Sequence, residues 1–123
     1  MTENQNGKHY DLEDRTFAFA RNVRLLVKRL PNFTANQEDG RQVIRSSGSV
    51  GANYIEANES LSKKDFALRI RICRKEAKES RYWLRLLDTN DSAEFDEQRR
   101  ALVQESQELM NIFGAILKKT VTD

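Results

Sequence analysis

Apolar residues in this chain recur three, four and seven positions apart, and only a few breakpoints interrupt them. That is the period of a helix, in which residues i, i+3, i+4 and i+7 share one face. One proline and five glycines leave too little turn material for an all-β fold. The first helix is expected over residues 14–30, with Phe19, Val23, Leu26, Val27 and Leu30 as its stripe and Pro31 as its stop. A second over 36–59, opening within 34–37, buries Val43, Ser47, Val50, Tyr54 and Ala57. A third over 62–88 opens at Ser62, a capping hydroxyl that Asp65 can reciprocate. It buries Phe66, Ile70, Cys73, Ala77, Leu84 and Leu87. The fourth, 91–119, opens on the capping pattern of Asp91 and Glu94 and buries Phe95, Leu102, Leu109, Phe113, Ile116 and Leu117. Short connections between long helices make neighbours antiparallel, so the expected fold is all-α, an up-down-up-down four-helix bundle.

Small residues fill 46–52, where most soluble helices carry long side chains. They allow a neighbouring helix to come closer than the roughly 8–10 Å that bulky side chains impose. The run Arg45-Ser-Ser-Gly-Ser-Val-Gly-Ala-Asn-Tyr-Ile-Glu-Ala57 is followed by Ser62-Lys-Lys-Asp-Phe66 and Glu79-Ser-Arg-Tyr-Trp-Leu84. Together these resemble the bacterial four-helix-bundle proteins encoded inside intervening sequences of 23S ribosomal RNA genes, from about Tyr10 to about Leu117. Ala57 and Ser46 stand where that family often has Gly and Ala, swaps that keep the residues small. The resemblance implies closed rings of bundles, notably homopentamers. It also extends to small bundle proteins that serve as accessory subunits of retroelement reverse transcriptases.

With 123 residues the chain makes one domain, 1–123. No apolar run reaches the ~20 residues of a membrane span, and Met1–Lys8 lacks the apolar core of a signal peptide. A single cysteine fits a reducing cytoplasm. Four-helix bundles can house di-iron centres, but the one histidine, His9, precedes the first helix. No zinc site, Ser-His-Asp arrangement or phosphate-binding glycine motif can be assembled, so no metal, cofactor or enzymatic activity is expected. Gly48 and Gly51 are better explained by close helix contact. Cys73 reads as a small buried hydrophobe.

A formal net charge of +2 conceals two basic helices. Residues 62–88 carry nine basic residues against Asp65, Glu76, Glu79 and Asp88. On the third helix Arg71, Arg74, Lys75, Lys78, Arg81 and Arg85 fall within about 120° of arc, opposite the apolar stripe. On the first, Arg21, Arg24 and Lys28 share a face with Phe17. An outward aromatic among cations is a pattern of single-strand nucleic-acid binders, which stack bases and neutralise phosphates. The same faces suit a protein partner with an acidic surface, or plain solvation.

Phe17, Leu25, Leu68, Tyr82 and Leu86 lie off the core direction and mark an expected subunit interface. Arg45, Asn53, Glu56, Arg69 and Glu76 flank the buried edges, as an expected polar network fixing helix register or as side chains reaching to solvent. The expected function is therefore that of a non-enzymatic homo-oligomeric bundle binding RNA or DNA. The alternative is a scaffold or accessory subunit that assembles a protein partner such as a reverse transcriptase.

Overall fold

The computed structural model describes residues 11–122 as four helices, α1 (Leu12–Arg29), α2 (Thr34–Asn58), α3 (Lys63–Leu86) and α4 (Ala93–Thr122). His9 and the segment Met1–Lys8 lie outside the described residues. Each helix packs on its neighbours in sequence and α4 closes weakly back on α1. The backbones of the diagonal pairs α1/α3 and α2/α4 stay apart, and Tyr54 of α2 reaches Phe113 of α4 across the core, with ring centroids 6.0 Å apart. This is the expected all-α four-helix bundle.

The apolar stripes occupy the interior. Phe19, Val23, Leu26, Val43, Val50, Ile70, Cys73, Ala77, Leu84, Leu109 and Phe113 are all but inaccessible to solvent. Val27, Tyr54, Phe66, Phe95 and Ile116, also expected inside, are only partly buried and pack against the edge of that core.

Helix ends differ from expectation where side chains capture backbone groups. The Asp11 carboxylate accepts from the Asp14 amide at 3.4 Å, so α1 begins at Leu12 and not at Asp14. Phe33 precedes α2 without a side-chain cap, and α2 starts at Thr34, the first residue of the expected opening. Ser62 caps α3 as expected, its hydroxyl accepting from the Asp65 amide at 3.0 Å. The Asp88 amide donates instead to Asn36 Oδ1 at 2.8 Å, leaving the helical ladder, and α3 stops at Leu86 rather than 88. Asn90 and Asp91 take left-handed backbone angles, with φ of 55° and 60°. That conformation cannot open a helix, so Ser92 and not Asp91 serves α4, accepting from the Phe95 amide at 3.2 Å. α4 then continues to Thr122, beyond the expected 119.

Small polar residues are buried that the apolar stripes did not predict: Thr16, Asn36, Ser46, Ser80 and Ser106. Each finds a partner. Ser46 and Ser80 share a hydrogen bond of 2.8 Å between α2 and α3. Thr16 donates to the Leu12 carbonyl at 2.7 Å and Ser106 to that of Val103 at 2.6 Å. Asn36 donates to the carbonyls of Pro31 and Asp88, at 3.0 and 2.9 Å, and so ties the α1–α2 turn to the end of α3.

The glycines of α2 serve α1. A Cβ at Gly51 would stand 2.9 Å from Thr16 Oγ1, and one at Gly40 would stand 2.8 Å from Val27 Cγ1. At Gly48 it would meet only the guanidinium tip of Arg24, at 3.3 Å. Two substitutions on one helix should therefore differ in sign. Gly51→Ala should cost a net ~1–2 kcal/mol by overpacking Thr16, after alanine's own helical advantage of about 1 kcal/mol is counted. Gly48→Ala should gain up to about 1 kcal/mol, since a flexible side-chain end can move aside. Urea unfolding of both variants against the wild type measures the pair.

Candidate nucleic-acid interface

The inward stripe of α3 is made of Ala67, Ile70, Cys73, Ala77, Ser80 and Leu84. Its long cations are turned outward by the same 3.6-residue period. Arg71, Arg74, Lys75, Lys78 and Arg85 are exposed. Arg81, expected to reach solvent, is half-buried, and its Nε is shielded without a hydrogen-bond partner.

The described ion pairs lie elsewhere. Arg15 bridges to Glu105 and Glu108, Arg29 to Glu94, Arg41 to Glu38, and Arg99 and Arg100 to Asp96. The bridge from Arg15 joins α1 to α4. Hydrogen bonding to Glu105 raises the Arg15 pKa, while Gln104 and then Arg15 lower that of Glu108. Four acids of α4, Glu94, Asp96, Glu105 and Glu108, are thus engaged by α1 and by α4 itself. Among the described residues no cation of α3 has a carboxylate partner within salt-bridge distance.

Two grooves flank the basic ridge. One, of about 650 Å³, runs between α3 and α4 and is lined by Arg71, Arg74, Lys75, Lys78, Met110, Asn111 and Gly114. The groove is roomy at Gly114, where a Cβ would find nothing closer than the Arg74 side chain at 3.9 Å. The other, of about 560 Å³ between α2 and α3, is lined by Gln42, Arg45, Lys75, Lys78, Glu79, Tyr82 and Trp83.

The basic residues of α1 do not join this surface, because α1 and α3 occupy opposite corners of the bundle. Arg21, Arg24 and Lys28 are exposed. The Arg21 guanidinium lies 5.9 Å from the centre of the Phe17 ring, and Arg24 donates to the Ala20 carbonyl at 3.2 Å. Phe17 borders an apolar groove of about 410 Å³ between α1 and α2, floored by Gly48, Gly51 and Ala52 and walled opposite by Ile55.

All five apolar residues expected off the core are exposed: Phe17, Leu25, Leu68, Tyr82 and Leu86. Phe33, Ile55 and Leu61 are exposed as well and were not foreseen. Ile55 was open to detection, since it follows Tyr54 by a single 100° step and so leaves the buried stripe. Leu61 lies in the α2–α3 turn, which no periodicity describes.

Of the expected polar network, one cross-helix bond forms: Arg69 donates to Asn53 Oδ1 at 2.9 Å, while Asn53 Nδ2 donates to the Ser49 carbonyl. Arg45 donates to Gln42 on its own helix at 3.3 Å, and Glu56 is exposed. Neither glutamate completes the network. Burial of Cys73 pushes its thiol up to about 12, so it stays protonated at neutral pH, and it donates to the Val50 carbonyl at 3.4 Å. No group of three His, Cys, Asp or Glu side chains among the described residues comes together as a metal site. No helix among them is long and apolar enough to cross a membrane.

The model of the 23S rRNA-intervening sequence proteins matches residues 8–115. Among solved structures the chain is similar to a protein of unknown function from the S23 ribosomal protein family of Bacteroides thetaiotaomicron. The two share 32% identity and a TM-score of 0.74, over 86% of this chain and 97% of that one. No curated protein matches.

Glu76 gives a pH test of the α2–α3 face. Burial raises its pKa and Glu79 adds to the effect, while Lys75 and Arg45 oppose it. A raised carboxyl pKa penalises the folded state once the unfolded chain would ionise, and not below that pH. Glu76→Gln should therefore be more stable than the wild type at pH 7. The advantage should vanish as pH falls below the ordinary glutamate range, as followed by thermal melts from pH 3 to 8.

Proposed function

The chain belongs to the 23S rRNA-intervening sequence protein family, and from that premise we propose that it is a non-enzymatic, self-associating bundle that binds RNA or DNA through α3. The observation that carries this reading is that, among the described residues, no cation of α3 forms a salt bridge, beside a groove lined by Arg71, Arg74, Lys75 and Lys78. Cations clustered on one helix face without salt-bridged carboxylates suit a ligand that brings its own negative charge at regular intervals. A phosphodiester chain does so and releases counterions on binding.

Self-association rests on a separate feature. Phe17 and Ile55 are 65% and 50% exposed on either side of the apolar α1–α2 groove, and Leu25 is exposed on the α4 side of α1. Copies covering such surfaces supply the ~1,200–2,000 Å² that a stable interface needs. A ring of five, as the family resemblance implies, would use head-to-tail contacts, each joining two different surfaces. It would also repeat the basic ridge and raise avidity without new contacts.

Two measurements test the reading. Log affinity for a single-stranded oligonucleotide should fall linearly with log salt, at roughly −0.7 per phosphate contacted. Replacing Arg71, Arg74 and Lys78 together by Gln should flatten that slope by about 2, with helicity unchanged. No binding to RNA or DNA at low salt would leave the protein-scaffold reading in its place. Light scattering should return a multiple of 14.3 kDa, five-fold for a pentamer, and Phe17→Glu should reduce it toward the single-chain mass. A wild-type mass of one chain at micromolar concentration would end the claim of self-association.

A further inference from the structure

Lys75 and Lys78 wall both grooves at once. On the α4 side they join Arg71 and Arg74. On the α2 side they join Arg45 and an aromatic pair, Tyr82 and Trp83, whose rings meet edge to face at 5.0 Å and 80°. Trp83 is half-buried, whereas Tyr82 is 56% exposed, so a partly sunk indole holds an open phenol ring among cations. One groove therefore offers charge, the next offers a π-face, and a lysine ridge divides them.

We propose that α3 selects unpaired nucleic acid, with the phosphates along the α3–α4 groove and a base turned over the Lys75–Lys78 ridge to stack on Tyr82. The inference rests on the nucleic-acid reading above and adds to it the strandedness of the ligand and the residue that senses it. A duplex keeps its bases stacked on one another and shows side chains only their edges, so it has no face to give Tyr82. A single strand can present its phosphates on one side of the ridge and its bases on the other. Glu79 is the carboxylate lining the α2–α3 groove. Its oxygens and the Gln42 amide provide acceptors and donors for a base edge beside the ring.

Phe17, the aromatic that sequence alone picks out for stacking, does not fit as well. Its position on an apolar groove between α1 and α2, on the corner of the bundle opposite α3, suits a protein surface better than a base.

The test is fluorescence anisotropy at low salt with labelled single-stranded RNA, single-stranded DNA and a duplex of the same sequence, taking the tighter single strand as reference. The wild type should prefer that strand to the duplex. Tyr82→Ala should weaken it by roughly 5- to 150-fold, the range seen when a stacking ring is removed. Its duplex binding should be unchanged, and Tyr82→Phe should keep near wild-type affinity because the ring remains. Light scattering of the same samples should show one unchanged mass. Equal wild-type affinity for duplex and single strand, or a Tyr82→Ala variant that binds the single strand as well as wild type, overturns the inference while leaving the nucleic-acid reading intact. A lower mass for Tyr82→Ala also overturns it, by assigning the ring to a subunit contact. Absence of all binding by the wild type removes both.

Discussion

The bundle depends on the thinness of α2. Gly40 and Gly51 let α1 approach to a distance at which a single methyl group would collide with Val27 or Thr16. On another side Ser46 lies close enough to α3 to share a 2.8 Å hydrogen bond with Ser80, and the Cys73 thiol reaches the Val50 carbonyl. The facing stripe of α3 is correspondingly small, with Ala67, Cys73, Ala77 and Ser80 in it. Such an interface has little room for long side chains, so α3 carries most of its arginines and lysines outside, with Arg69 and Arg81 half-buried. The close α2–α3 contact and the basic ridge are therefore consequences of one allocation of residues.

Buried hydroxyls and amides give this packing its register. Apolar surfaces slide at little cost, but a buried polar group displaced from its partner leaves an unsatisfied donor or acceptor worth about 1–3 kcal/mol. Asn36 does this at one end of the bundle, exchanging two hydrogen bonds with the backbone of Asp88. The Ser46–Ser80 pair and the bond from Arg69 to Asn53 do it further along the α2–α3 seam. α1 has less of this: its long-range polar ties are surface contacts such as Arg15 to Glu105 and Asn58 to Glu13.

The stripes of α1 to α4 were legible because a 3.6-residue period survives in any tertiary setting. Helix ends were legible only where the cap is local, as at Ser62. The end of α3 was not, since Asn36, 52 positions away, takes the Asp88 amide. Nor was the start of α4, where left-handed residues at 90 and 91 hand the cap to Ser92. The outward cations of α3 follow from the helical wheel, but the wheel could not show that Arg81 is half-buried with its Nε shielded. The sequence also left open whether acidic segments elsewhere neutralise the ridge. That depends on which acids face which helices. The α4 carboxylates Glu94, Asp96, Glu105 and Glu108 are paired with arginines of α1 and of α4 itself.

An uncompensated helix of this kind carries a cost. Along α3, Arg71 and Lys75, Arg74 and Lys78, and Arg81 and Arg85 are like charges four residues apart, each pair opposing the helix by roughly 0.2–0.5 kcal/mol. Glu76 and Glu79 interrupt the basic run but lie toward α2, where the first is partly desolvated, and they bridge to none of these cations. A helix kept only for packing would gain by exchanging some of its lysines for glutamates at those spacings. In the proposed reading a polyanion supplies the missing negative charge, and binding relieves the repulsion that the free bundle sustains. The groove beside Gly114 gives the phosphates a path, and the short inward stripe of α3 gives the ridge its support. The function proposed for the outer face of α3 thus depends on the smallness of its inner one.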